Sequence, residues 1–354
     1  MSAIRIDFAV LGASTQARLV AGLLRSVHGK SVLYQGESQS AYRLPRGLDL
    51  SVAPLTRPET LALLQETVPQ TDKIIRRLGG RGAVRRLDAV FCARSDEAVD
   101  ALGHVRHMAQ AFSFPAERMR NPVLGPGCQS ILMRDSLLLH RASLEPILDR
   151  WLANLGVHRL ATSSELVLKP DGSGVALAGD DGFEIAQTVL ADDAAILAHV
   201  PEERWPENLT AVSASTLLSE PLKSPAAALV RQLDDDLILT QHARLGIAAI
   251  GQGSIEQVAE AMRALLGHEN SMRQAGQSSY PRLVTPDGAA AVGRLAGTGP
   301  DVLAGLGTVG AFLAPAIARW LVGAASPAEN NWLKARLVNR DSQASVVAEW
   351  GGTP

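Results

Sequence analysis

The sequence predicts an α/β fold that begins as a parallel sheet and continues in antiparallel strands. Three features carry that reading. A short apolar run at residues 6–11 passes through Gly12 into an amphipathic helix and a second short strand, the βαβ pattern of a parallel sheet. The middle of the chain alternates strand-like runs with tight turns. Near the C-terminus a glycine-rich turn opens a last apolar helix.

Taken in order, residues 6–11 are a buried strand, short, apolar and ended by Gly12. Residues 16–27 are a helix with Leu19, Leu23 and Val27 on one face and Gly29 as its stop. Residues 31–34 make the second strand, and residues 56–78 a long helix with Pro58 in its first turn. Residues 87–93 read as a strand and 96–112 as an amphipathic helix capped by Ser95. A strong helix at 144–155 is followed by Gly156 and a strand at 157–160. Residues 163–169 and 174–178 form a hairpin around Pro170, Asp171 and Gly172. Residues 189–190 and 194–200 read as further strands of that sheet. Residues 209–218, 237–241 and 246–250 read as antiparallel strands, 255–266 as a helix and 308–322 as the last helix.

Composition excludes several classes. A hydrophobic fraction of 46% over 354 residues is enough for one large or two ordinary domains. A net charge of −2 gives no field for nucleic acid or an anionic membrane. Aromatics at 4% are too few for a base-stacking platform. Cys92 and Cys128 lie far apart in sequence and match neither a disulfide framework nor a metal motif. The apolar stretch 302–325 is interrupted by Gly305, Gly307, Gly310 and Pro315, so it reads as a turn and helix, not a membrane span. The first strand carries Arg5 and Asp7 with no leader pattern, so a cytoplasmic, soluble protein is the expectation. The eight histidines show no Ser/His/Asp or metal-ligand spacing.

The turn after the first strand has the frame of a dinucleotide site. In the pattern G-x-G-x-x-G the first glycine makes the tight turn, the second admits the pyrophosphate and the third packs helix on strand. Here those positions are Gly12, Ser14 and Ala17. The helix N-terminus behind them offers free N–H groups and the positive end of its dipole. The nearest acid for a ribose is Glu37, one or two positions late. A βαβ unit that binds nothing is the alternative these residues leave open.

The C-terminal third adds a resemblance. Arg282-Leu-Val-Thr-Pro-Asp-Gly288, then Val292-Gly293, then the run from Leu303 through Gly305, Gly307 and Gly310 to Pro315 resemble the closing segment of the D-amino-acid-oxidase-type FAD-dependent oxidoreductases, which include glycine oxidase, sarcosine oxidase and the flavin subunits of opine and proline dehydrogenases. Residues 134–157 are similar to that family's helix and following strand, and 163–169 to its adenine-side strand. The resemblance runs from about Ile4 to about Gly323. It implies a discontinuous Rossmann-like FAD-binding domain (1–55, 135–205, 276–354) with an inserted, smaller α+β substrate domain on an antiparallel sheet (56–134, 206–275). It implies FAD as cofactor, an amino acid or secondary amine as substrate, and hydride transfer to flavin from the substrate carbon. Three positions depart from it: Ser14, Leu306 where a histidine is often found, and Asp192-Asp193 in place of small residues after the strand near 190. These departures favour a second reading, a non-catalytic member acting as a partner subunit or binding another ligand. Oligomeric state is left open.

By the same resemblance Arg282 and Tyr280 are the candidate catalytic residues, Arg282 as the bidentate partner of a substrate carboxylate. Gly12, Ser14, Ala17, Glu37, Arg43, Val167, Gly305, Gly307, Thr308 and Gly310 are the candidate cofactor contacts. Arg46 follows the second strand, and His242 lies in the smaller domain's sheet. For each of these an ordinary structural role is the alternative.

Overall fold

The structure, a computed structural model, describes residues 3–38, 44–119, 124, 127–179, 181–222, 227–241, 246–267 and 272–341. The chain begins β1 (Ile4–Leu11), α1 (Thr15–Ser26), β2 (Val32–Gln35), β3 (Asp49–Leu50), α2 (Pro58–Arg77), β4 (Val84–Ala93) and α3 (Asp96–Ala111). It continues β5 (Ala116–Arg118), β6 (Gln129–Leu139), α4 (Arg141–Asn154), β7 (His158–Arg159), β8 (Leu166–Leu168), β9 (Gly174–Ala178), β10 (Asp181–Leu190) and α5 (Asp193–His199). The last part is β11 (Thr210–Pro221), β12 (Leu229–Gln232), β13 (Leu237–Gln241), β14 (Gly246–Gln252), α6 (Ile255–Leu266), β15 (Gln274–Val284), β16 (Ala291–Arg294), β17 (Asp301–Ala304), α7 (Gly310–Leu321) and α8 (Pro327–Lys334).

Two sheets organise these elements. The first runs β16-β17-β10-β1-β2-β7, with the β8–β9 hairpin added along β10. Its centre is parallel: β1 pairs with β10 on one side and β2 on the other. Leu11 stands opposite both Leu190 and Gln35, so the three strands end together. That common C-terminal edge is where parallel α/β sheets place ligands. The second sheet runs β15-β11-β14-β13-β12-β4-β6-β3, with β5 beside β6, and is antiparallel apart from the β4–β12 pair.

The helices cover the sheets with their apolar residues. Leu19, Val20, Leu23 and Leu24 of α1 pack with Phe312, Leu313 and Ile317 of α7 in the largest core, beside Leu61 and Leu64 of α2 and Leu144 and Leu148 of α4. The other face of the first sheet buries Ile6, Ile185 and Leu190 under Ile196 and Val200. The second sheet is covered by Leu102 and Val105 of α3 on one face and Val258 and Met262 of α6 on the other. Local signals set the ends. Ser95 caps α3 and Ser14 caps α1 through their hydroxyls, and Ser254 with Gln257 closes a capping box on α6.

One element differs from the sequence reading, and two strands lie in stretches to which it assigns nothing. Residues 194–200 are not a strand: Asp193–His199 is helix α5, capped by Asp192. A short apolar run bounded by acids does not distinguish the two by periodicity. β6 lies where the sequence reading assigns no element, and Arg134 and Asp135 interrupt its apolar run. Asp135 sits at φ 57 where the pairing with β4 shifts register, a bulge within one continuous strand. β15 is glutamine- and serine-rich and carries Pro281, which its place at the sheet edge allows.

Candidate functional site

The turn after β1 is an occupied anion site. Gly12 takes φ 149 and donates its N–H to the Gln35 carbonyl at 2.9 Å. The next two N–H groups, of Ala13 and Ser14, both donate to Oδ2 of Asp192, at 2.7 and 2.9 Å. The other oxygen of Asp192 accepts from Ala195 N at 3.0 Å and so caps α5. Two converging N–H groups at the N-terminus of a helix are what a phosphate uses. Here the ligand is the chain's own carboxylate. A Cβ at Gly12 would lie 2.8 Å from Asp192 Oδ2, so the glycine keeps open the space that the carboxylate fills. Ser14 does not project into that space; its hydroxyl accepts from Ala17 N at 3.1 Å, and Ala17 packs fully buried behind it.

The gap between this turn and the end of β2 is also closed. Arg18, 1% exposed, donates to the carbonyls of Ala13 and Glu37 and forms ion pairs with Glu145 at 2.7 Å and Asp149 at 2.9 Å. Tyr34 donates its hydroxyl to the Gly12 carbonyl at 2.9 Å, and burial pushes its phenol upward. Glu37, the acid read as a ribose partner, is exposed, while its backbone carbonyl faces Arg18.

On the far side of the turn, Thr15 donates to Asp49 Oδ2 at 2.6 Å. Asp49 is 3% exposed and takes a bidentate pair from Arg141, at 2.7 and 3.0 Å. Gln16 binds the Ala191 carbonyl, and a Cβ on Gly310 would lie 2.1 Å from Gln16 Oε1. Gly310 therefore lets the N-terminus of α7 come up against that of α1. The closing turn thus lies next to the first one, as the sequence reading expects. Gly305 and Gly307 take positive φ there, and Thr308 donates to the Val52 carbonyl at 3.3 Å. Leu306 is buried in the same core.

The antiparallel sheet supplies the remaining candidates. Tyr280 donates to the Arg46 carbonyl at 3.1 Å, and the Arg46 guanidinium lies 5.2 Å from its ring centre. Arg282 and Arg231 share Asp236, at 2.9 and 2.6 Å. Burial alone would raise the Asp236 carboxyl, but the two guanidinium groups outweigh it and hold it low. Asp193 accepts from Leu283 N at 3.1 Å and is pushed up to about 6 by burial. Val167 stands on β8, nearly half exposed, at the outer end of the hairpin. Arg43 and His242 lie outside the described residues.

Sequence reasoning missed Asp49, Arg141 and Arg18. Asp49 sits as a lone acid among Leu48, Leu50 and Val52, a signal that was legible. Arg18 looks like the polar side of an amphipathic helix, but α1 is buried all round from Thr15 to Leu24. The Asp192-Asp193 departure was visible, but not which way the acids face.

No protein-family model and no curated protein sequence matches the chain. Solved structures do. L-proline dehydrogenase from P. horikoshii superposes with a TM-score of 0.76 at 13% identity, over 96% of this chain and 98% of that one. Glycine oxidase from Bacillus cereus gives 0.68 at 14% identity, over 96% and 99%. L-amino acid deaminase from Proteus myxofaciens gives 0.69 at 12% identity, over 94% of each. The chain therefore has the amino-acid-oxidase type of fold over nearly its whole length. At these identities the likeness is one of fold. Among the described residues no helix is long and apolar enough to cross a membrane.

The residues at the first turn suit a diphosphate in one respect and oppose it in another. Their N–H groups are arranged for an anion, and they hold one. While they hold Asp192 they do not also hold a cofactor phosphate.

Proposed function

We propose that the chain is an FAD-dependent oxidoreductase acting on the C–N bond of an amino acid or secondary amine. The observation that carries this reading is the pair of N–H groups, from Ala13 and Ser14, converging on an anion at the shared end of β1, β2 and β10. Gly12, Ser14 and Ala17 with the closing Gly305, Gly307, Thr308 and Gly310 are the residues that would hold the cofactor, once Asp192 is withdrawn. Bound FAD would supply the hydride acceptor. Arg282 would orient a substrate carboxylate; its side chain, held by Asp236, is still 29% exposed. Tyr280, already bonded to Arg46, would line the same space. The division into a discontinuous FAD domain and an inserted substrate domain belongs to this proposal.

A second reading has its own support. Asp192 on the turn and buried Asp49 beside it put two carboxylates where a diphosphate would lie. That favours a non-catalytic protein, a partner subunit or a binder of another ligand. The test is colour and its loss. The FAD reading predicts a yellow protein after incubation with FAD and desalting, absorbing at about 370 and 450 nm, and bleached anaerobically by its amine substrate. A chain that stays colourless under those conditions both in its native form and as D192G selects the second reading.

A further inference from the structure

We infer that Asp192 is an intramolecular latch on the dinucleotide site: its carboxylate competes with the cofactor phosphate for the Ala13 and Ser14 N–H groups, and FAD loads only into molecules from which it has swung away. The inference rests on the proposed function and concerns the regulation of the same site.

The geometry is that of a bound ligand. Oδ2 receives both N–H groups of the turn, at 2.7 and 2.9 Å, and Oδ1 receives the Ala195 N–H in the first turn of α5, at 3.0 Å. One side chain therefore ties the β1–α1 turn to the β10–α5 connection, two segments 178 and 179 residues apart in sequence. It does so in the space that Gly12 leaves, where a Cβ would come within 2.8 Å of Oδ2. The carboxylate is tethered, so it acts at high effective concentration against any diffusing anion. A phosphate entering the turn must also approach buried Asp49, whose charge is balanced by Arg141, and Asp193, which is bonded to Leu283 N. Withdrawal of Asp192 removes the nearest negative charge and frees both donors in one rotation.

The size of the effect follows from the bonds exchanged. A hydrogen bond to a charged group is about a tenfold factor or more in equilibrium. Two of them predict that removing the carboxylate tightens FAD binding by roughly 100-fold.

The experiment measures FAD affinity of the native chain, D192G and D192N by equilibrium dialysis, and the thermal shift of each with inorganic pyrophosphate. D192N keeps an amide oxygen to cap α5, which guards against a D192G that does not fold. A gain of about 100-fold for D192G, and a smaller one for D192N, supports the latch. Equal, tight FAD binding by native chain and variants overturns it and leaves the FAD proposal standing. If no form binds FAD but pyrophosphate stabilises only the variants, the latch stands and the FAD proposal falls. Folded variants that respond to neither probe overturn the latch.

Discussion

Arg18 offers a strong test of how the site is built. It is 1% exposed and its guanidinium meets two carbonyls and two carboxylates. Glu145 is itself only 7% exposed. Replacing Arg18 with methionine keeps most of the volume but removes the guanidinium that pairs with the buried Glu145 carboxylate at 2.7 Å. Breaking a buried pair from one side costs about 3–5 kcal/mol, while replacing both partners with apolar groups is close to neutral. R18M should therefore lose about 3–5 kcal/mol in urea unfolding followed by tryptophan fluorescence, and R18M/E145L should regain most of that loss. The same substitution unties Ala13 from Glu37, so the turn should become more accessible to hydrogen exchange. A loss for R18M below about 1 kcal/mol, or a double variant whose loss is the sum of the two singles, would refute this account of the pair.

Four further outcomes are expected. Gly22→Ala places a Cβ 2.1 Å from the Trp151 ring and should cost at least about 1–3 kcal/mol, largely recovered by W151L; an unchanged melting temperature for G22A contradicts the packing. Cys128, 5% exposed, is held below the usual thiol range by the Cys92 hydrogen bond and by Arg94 Nε at 3.0 Å, so of the two buried thiols it should be the first that iodoacetamide alkylates at neutral pH; Cys92 reacting first, or both thiols reacting only above pH 8.5, would exclude this. Asp193 and Asp301 are raised to about 6 by burial, so between about 4 and 6 the folded chain keeps protons the unfolded chain releases, and stability falls as pH rises through 6. Asp236 and Asp287 are lowered and act oppositely, their contribution fading as pH drops below the ordinary carboxylate range. Relative to a D193N/D301N variant the native chain should therefore lose stability as pH rises from about 4 to about 6, and identical pH curves for the two disprove the assignment. Finally, Arg282→Ala should weaken carboxylate ligands by on the order of 2–5 kcal/mol; unchanged binding removes Arg282 from the site.

Much of the architecture was legible because local and tertiary signals agree. The Gly12 turn, the Ser95 cap, Pro58 at a helix start and the hairpin at Asp171 all appear where the sequence places them. What failed was local in cause. β6 went unassigned because Arg134 and the bulge at Asp135 interrupt its apolar run, and edge strand β15 lacks an apolar rhythm because one side faces solvent. The frame of the first turn was legible in outline, since Gly12 lies against Ala17 and Gly310 against Gln16. Its contents were not. Nothing in spacing says that Asp192 turns inward, that Arg18 is buried, or that Asp49 finds Thr15 and Arg141. Those pairings join residues more than thirty positions apart, and the fold alone brings them together.

The claim on which the account turns is that the carboxylate of Asp192 sits on Ala13 and Ser14. A crystal structure of the native chain grown without FAD decides it most directly. We expect Asp192 oxygen density within hydrogen-bonding distance of both nitrogens. Density that shows Asp192 turned outward in the unliganded protein, with both nitrogens left to solvent, would contradict it.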